Sequence, residues 1–196
     1  MLQIRIHGRG GQGVVTATEL LSMAAFEQGR HAQAFPSFGS ERTGAPVVAF
    51  CRISDHEIRL REPILAPDVL IVQDPTLLHQ VDVFQGLQPD GYVLINSKRS
   101  FHDLGLAEIE QRFRRERLTT VPATEIALKH LGRPLPNAVL LGGFAALSGL
   151  ITLDAVAHAI HHKFSGKVAE ANIAAAAEAY AFVQRELEEL SHAQAG

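Results

Sequence analysis

Residues 2–13 read Leu2-Gln3-Ile4-Arg5-Ile6-His7-Gly8-Arg9-Gly10-Gly11-Gln12-Gly13, and a helix-like segment follows from 14 to about 28. The apolar run at 2–6 predicts a strand, the glycines a turn, and the segment behind them a helix. In that order, turn amides and the helix N-terminus converge on one anionic group. Gly8, Gly10 and Gly13 have the G-x-G-x-x-G spacing, and Gly11 lets a phosphate approach the main chain closely. Alone the spacing is a weak signal; its position between a strand and a helix gives it specificity. The reading is a nucleotide or phosphate-ester site at the top of an α/β sheet.

Outward from this motif, residues 31–35 read as a short strand closed by Pro36. A standard dinucleotide fold carries an acid at that strand end to bind a ribose. Here the positions read Pro36-Ser37-Phe38-Gly39-Ser40, which counts against a standard NAD site, and Glu41-Arg42-Thr43-Gly44 reads as a loop. Residues 45–53 form the next expected strand, with 57–60 as its hairpin partner. Residues 68–74 and 91–96 read as buried parallel strands, 104–115 as a surface helix, and 118–121 as a last short strand. Pro122 opens a helix over 123–131. Beyond Gly132 the chain reads as helical. Asn137 is expected to cap residues 138–148, whose Gly142, Gly143, Ala145 and Ala146 permit close packing. Thr152 or Asp154 opens the next helix, to about 162. A third runs from about 166 to 190, with Ala169, Ile173, Ala176, Ala177, Tyr180 and Val183 on one apolar stripe, ahead of a frayed tail at 191–196. The expected architecture is one α/β domain over 1–196: a Rossmann-like, mainly parallel sheet flanked by helices (1–132) with a helical C-terminal part (133–190).

Composition excludes several classes. Eighteen basic against 21 acidic side chains give a net charge of −3, so no general nucleic-acid surface is indicated. The ten histidines are scattered, and the adjacent pair His161-His162 would point about 100° apart on a helix, a poor chelate. Cys51 is the single cysteine, which precludes an intrachain disulfide and a cluster held by four thiolates from this chain. It sits in an expected strand and reads as a buried thiol. A reducing cytoplasm is the simplest compartment. The first residues lack a signal-peptide pattern, and no apolar run reaches the length of a membrane span.

Taken together, the motifs resemble the gamma subunit, or gamma domain, of the 2-oxoacid:acceptor oxidoreductases, of which pyruvate:ferredoxin oxidoreductase is the best-known member. The residues that carry the resemblance are Gly8-Arg9-Gly10-Gly11-Gln12-Gly13 and Phe35-Pro36-Ser37-Phe38-Gly39-Ser40-Glu41-Arg42-Thr43-Gly44-Ala45-Pro46. Further matches are Pro67-Asp68-Val69, Asp74-Pro75-Thr76-Leu77-Leu78, Asn96-Ser97 and Gly132-Arg133-Pro134-Leu135-Pro136-Asn137. Val139-Leu140-Leu141-Gly142-Gly143-Phe144 departs from the family's Met-Leu-Gly-Ala-type run at the same place. The resemblance implies oxidative decarboxylation of a 2-oxoacid (pyruvate, another 2-oxoacid or an arylglyoxylate) to an acyl-coenzyme A and CO2. Electrons then pass to ferredoxin or to an NAD-reducing subunit. It also implies alpha, beta and delta-type companion subunits that hold thiamine diphosphate, Mg and [4Fe-4S] clusters, because this chain has neither cluster cysteines nor a thiamine-type Gly-Asp-Gly motif. The role carried over to this chain is to hold coenzyme A and help close the active site.

For that ligand, the amides of Gly10, Gly11, Gln12 and Gly13 suit a phosphate, with Gly8 opening the motif. Arg9 and Arg42 offer charge-assisted contacts, Gln12 an amide donor and acceptor, and Ser37, Ser40 and Thr43 short hydroxyls. Glu41 either pairs with Arg42 to fix the loop or orients it towards ligand. Asn137 faces the same crevice or serves as a helix cap. Asp74 and Asn96 read as caps, His7 as a satisfied strand histidine, and Arg112 to Arg117 as a solvated face. A self-sufficient NAD or FAD oxidoreductase and a purely structural assembly subunit are the rival readings.

Overall fold

The computed structural model describes residues 1–37 and 42–196. A six-stranded sheet has the order β2-β3-β1-β4-β5-β6. Its strands are β1 (Leu2–Arg9), β2 (His31–Pro36), β3 (Pro46–Ser54), β4 (Val69–Val72), β5 (Tyr92–Asn96) and β6 (Leu118–Val121). β1, β4, β5 and β6 pair in parallel, and β3 runs antiparallel to both β1 and β2, so β3 alone is reversed. Helices α1 (Val14–Glu27), α2 (Ala107–Arg112), α3 (Ala123–Leu131), α4 (Asn137–Ser148), α5 (Leu153–Lys163) and α6 (Gly166–Ala195) complete the fold. The expected α/β class, with a mostly parallel sheet and a helical C-terminal part, is what the chain adopts.

The strands alternate between two cores because successive side chains point to opposite faces. Ile4, Ile6, Val69, Ile71 and Leu94 join the larger cluster, which the faces of α1, α3, α4, α5 and α6 complete. Leu70, Val72, Val93 and Ile95 join the smaller one, covered by Phe101, Leu104 and Ile109. On the second face β1 carries no apolar residue. Buried Arg5 takes that place, donating to the carbonyls of Val83 (2.8 Å) and Gln85 (2.6 Å) and so tying down the irregular segment that covers the sheet.

Four local expectations need correction. Residues 57–60 form no strand, because β1 and β2 occupy both edges of β3 and leave no ladder for a hairpin partner. The surface helix expected over 104–115 shrinks to α2, since Gly105 takes φ +77° ahead of it and Phe113 is extended behind it. α6 runs to Ala195 with no frayed tail, as no glycine or proline interrupts it after Gly166. Its buried seam is Ala169, Asn172, Ala175, Ala176, Ala179 and Val183, while Ile173, Ala177 and Tyr180 sit at its margin. Gly142 of α4 sets that rotation: a Cβ there would lie 2.0 Å from the Ala176 carbonyl, so the two backbones meet directly. No described helix is long and apolar enough to cross a membrane.

Candidate functional site at the carboxyl ends of β1 and β4

β1 extends through Gly8 and Arg9, pairing Arg9 with Pro46, so the turn proper is Gly10 to Gly13. Three glycines are required by their surroundings. A Cβ on Gly8 would meet Val14 Cγ2 at 2.4 Å, and one on Gly10 would meet the Arg42 carbonyl oxygen at 2.2 Å. Gly13 has φ +72° and abuts Asn137 Nδ2, which a Cβ would approach to 2.5 Å. Gly10 also bridges to Thr43, donating its amide to Ala45 O (2.9 Å) and accepting from Gly44 N (3.0 Å). The 42–45 segment is thereby laid against the glycine turn.

The side chains of the motif turn inward. Arg9 uses all three guanidinium nitrogens on the protein: Nε on Asp74 Oδ2 (3.1 Å), Nη1 on Gly44 O (3.0 Å), and Nη2 on Thr76 Oγ1 and Gln80 Oε1 (both 2.9 Å). Gln12 closes the turn with both ends of its carboxamide, accepting from Arg9 N (2.7 Å) and donating to Asp74 Oδ2 (2.8 Å). Asp74 is the hub of this network and also receives Thr76 N (2.9 Å) as a cap. Burial works to raise its carboxyl pKa, but the hydrogen bonds from Thr76 and Gln12, with Arg9 behind them, hold it below the usual range. Arg9 and Gln12 therefore shape the turn rather than project from it.

Main-chain donors are what the turn offers. Gly10 N and Gln12 N are occupied, by Ala45 O and Arg9 O. The amides of Gly11, Gly13, Val14, Val15 and Thr16 meet no acceptor among the described residues, and α1 has neither a side-chain cap nor an acid in its first turn. A helix start left in this state carries partial positive charge and several aligned donors. Of the residues with free amides, Gly11 lines a crevice of about 480 Å3, together with Gly10, Gln12, Thr43, Gln73, Asp74, Asn96, Thr124 and the Arg133–Pro136 segment; the start of α1 lies directly behind it in the chain. The crevice lies at the carboxyl ends of β1, β4 and β5, where open α/β sheets bind ligands.

Asn96 acts as a clasp. Its Nδ2 donates to Gln73 O and to Thr124 Oγ1 (both 2.8 Å), and its Oδ1 accepts from Thr124 N (3.2 Å), capping α3. Asn137 is the first residue of α4 rather than its cap; its Oδ1 accepts from Ala138 N (2.8 Å), and its Nδ2 reaches Gly13 O at 3.5 Å. The structure thus brings Gly10, Gly11, Gln12 and Thr43 into the crevice lining, while Gly13 and Asn137 pack on each other beside it and Asn137 does not line it. Ser37 follows β2, two strands from β1, and does not line the crevice. Arg42 is exposed beside Gly10. Ser40 and Glu41 lie outside the described residues, and with them the Glu41–Arg42 pairing. Sequence reasoning missed Gln73, Thr124 and Arg133 as lining residues. The signal for Gln73 was a polar residue at the end of an unbroken apolar strand. His7 is a satisfied core histidine whose Nε2 accepts from Arg5 Nε at 3.0 Å; burial, and then the Arg5 cation, push its pKa down to about 3.

Among the described residues, no group of three or more His, Cys, Asp or Glu side chains lies together as a metal site, and Cys51 is buried with its thiol pushed up to about 12 by burial. Residues 3–182 match the family model described as pyruvate ferredoxin/flavodoxin oxidoreductase. The chain belongs to this family. The pyruvate/ketoisovalerate oxidoreductases common subunit gamma of Pyrococcus abyssi is 47% identical over 182 residues, covering 92% of this chain and 96% of the relative. The crystal structure of pyruvate oxidoreductase subunit PORC from Thermotoga maritima superposes with a TM-score of 0.76 at 36% identity, covering 91% of this chain and 94% of that one. The 2-oxoglutarate:ferredoxin oxidoreductase of Magnetococcus marinus, solved with 2-oxoglutarate, coenzyme A and succinyl-CoA bound, shares the fold (TM-score 0.73, 18% identity) over 94% of this chain and 31% of that one. The protein is a gamma-type subunit of a pyruvate or related 2-oxoacid ferredoxin oxidoreductase.

Proposed function

We propose that this subunit holds the diphosphate of coenzyme A at the start of α1 and helps close an active site built by companion subunits. The observation that carries the reading is the uncapped start of α1, with amides at Gly11, Gly13 and Val14 to Thr16 that meet no acceptor among the described residues, directly behind the crevice that Gly11 lines. A diphosphate suits such a donor set, and the volume suits part of a nucleotide. Arg133 at the rim supplies a cation, and Asp74, already paired with Arg9, offers little repulsion. The Magnetococcus marinus enzyme, of the same fold, was solved with coenzyme A bound, which supports the choice of ligand.

In this reading alpha, beta and delta-type companions carry thiamine diphosphate, Mg and the [4Fe-4S] clusters, and deliver electrons to ferredoxin. Thiamine diphosphate supplies the carbanion chemistry that decarboxylates the 2-oxoacid. The residues of this chain fix the phosphate end of coenzyme A so that its thiol arrives oriented for acyl capture, and they keep water from the reacting centre. The choice of 2-oxoacid then rests with the companions.

Thr16→Glu tests the proposal. A carboxylate at the third position of α1 satisfies the free amides from within and repels a diphosphate, while the helix itself gains from its own cap. The expected result is a KM for coenzyme A raised tenfold or more, with undiminished thermal stability, and decarboxylation less affected than acyl transfer. An unchanged KM refutes the site. Equal loss of both steps in an intact assembly favours a purely structural subunit.

A further inference from the structure

Gln73 directly follows β4 and lines the crevice, yet it is 1% exposed. Its backbone is pinned twice, with the amide donating to His7 O at 2.7 Å and the carbonyl accepting from Asn96 Nδ2 at 2.8 Å. The side-chain Nε2 donates to Gln12 O at 2.9 Å, which fixes the carboxamide, because the flipped form would set two carbonyl oxygens against each other. Oε1 is thereby left without a donor. It is the one fully buried side-chain nitrogen or oxygen among the described residues with no partner. A buried acceptor of this kind is unfavourable and calls for a specific explanation.

The side chains of Asp74 and Asn96, which line the same crevice, cannot answer. Asp74 is spent on Arg9, Gln12 and Thr76, and Asn96 uses both carboxamide atoms on Gln73 O and Thr124. A carboxamide oxygen accepts only, so it matches an N–H or O–H and repels a phosphate oxygen. We propose that Gln73 Oε1, enclosed in the unliganded subunit, is uncovered as the crevice admits its ligand and then accepts from an uncharged N–H or O–H group of the ligand whose diphosphate lies on the α1 amides. The inference rests on the coenzyme A reading and deepens it. The ligand class is a nucleotide that carries an amide, amino or hydroxyl donor near its diphosphate, and the crevice tells it from inorganic anions by that donor. Gln73 is then a specificity residue, while the helix start supplies the part of the affinity common to all diphosphates.

The test compares wild-type enzyme with Gln73→Met, each purified with its companion subunits, using coenzyme A as substrate and inorganic pyrophosphate as competitor. Methionine keeps the length of the side chain and removes the acceptor. The expected result is a KM for coenzyme A raised about tenfold, more than kcat falls, as for one lost hydrogen bond to a neutral group. The inhibition constant of pyrophosphate stays within about twofold. Equal weakening of both ligands would mean that Gln73 only shapes the turn through Gln12, and no change in either would mean that Oε1 meets no ligand; each overturns the proposal. If the variant does not assemble, 15N-labelled wild-type chain replaces it: the Gln73 side-chain amide resonances shift with coenzyme A and not with pyrophosphate, and a shift with both or neither overturns it. Absence of competition by pyrophosphate in the wild type, together with an unaltered KM in Thr16→Glu, overturns the underlying site reading as well and is seen without Gln73→Met.

Discussion

Replacing Gly13 with alanine combines two costs at the head of α1 that a control elsewhere in the chain separates. Gly13 has φ +72°, and its added Cβ would stand 2.5 Å from Asn137 Nδ2 and 3.3 Å from Asn137 Cγ. Gly29, in the turn after α1, has φ +77° with no atom within 4 Å of its Cβ position. Alanine at either site costs about 1–2 kcal/mol for the left-handed backbone. At Gly13 the Asn137 carboxamide must also rotate away, losing its 3.5 Å contact with Gly13 O and loosening the seat of α4 on the turn. That adds about 1 kcal/mol, the net contribution of a typical hydrogen bond. In paired thermal melts, Gly13→Ala is expected to melt about 2–4 °C below Gly29→Ala. The KM for coenzyme A should rise in the first and not in the second, since only Gly13 is part of the amide array. Equal Tm values for the two variants would refute the contact argument, and equal KM values would refute the role of the turn.

Two further outcomes are expected. Asp74→Ala releases Arg9 and Gln12 together, so it should cost about 2–3 kcal/mol in urea unfolding and weaken coenzyme A more than 2-oxoacid; a loss below about 1 kcal/mol would show that the hub is dispensable. His7 has a folded pKa of about 3 against 6.5 in the unfolded chain, so between those values the unfolded state binds the extra proton and stability falls as pH is lowered. From pH 7 to pH 5 this loss is about 2 kcal/mol. His7→Gln, which keeps an acceptor for Arg5, should flatten that slope; urea melts at the two pH values that change equally in variant and wild type would contradict it.

Short-range patterns were legible because they are carried by neighbours in sequence. Leu2 to Ile6 ahead of four glycines, with an apolar helix behind, announced the strand, turn and helix of the site. The apolar strands ending at Asp74 and Asn96 announced the parallel half of the sheet, and the ordered set of motifs announced the family. Gly142, read as a point of close approach, became the backbone contact between α4 and α6.

The chain by itself determined that main-chain amides would meet at one end of a parallel sheet, since glycine spacing and hydrophobic period are local properties. Only the tertiary structure decided which side chains would face that end. Arg9 and Gln12 looked like ligand donors until folding brought Asp74, 65 and 62 residues away, within hydrogen-bond reach and turned both inward. The same packing buried the Gln73 carboxamide with one oxygen unanswered and brought the Arg133–Pro136 segment across the crevice. The hairpin partner at 57–60 failed for a related reason: β-pairing depends on which edges remain vacant, and β1 and β2 had taken both edges of β3. A hydrogen bond between residues so far apart in sequence is fixed by the closed fold, and no local pattern encodes it.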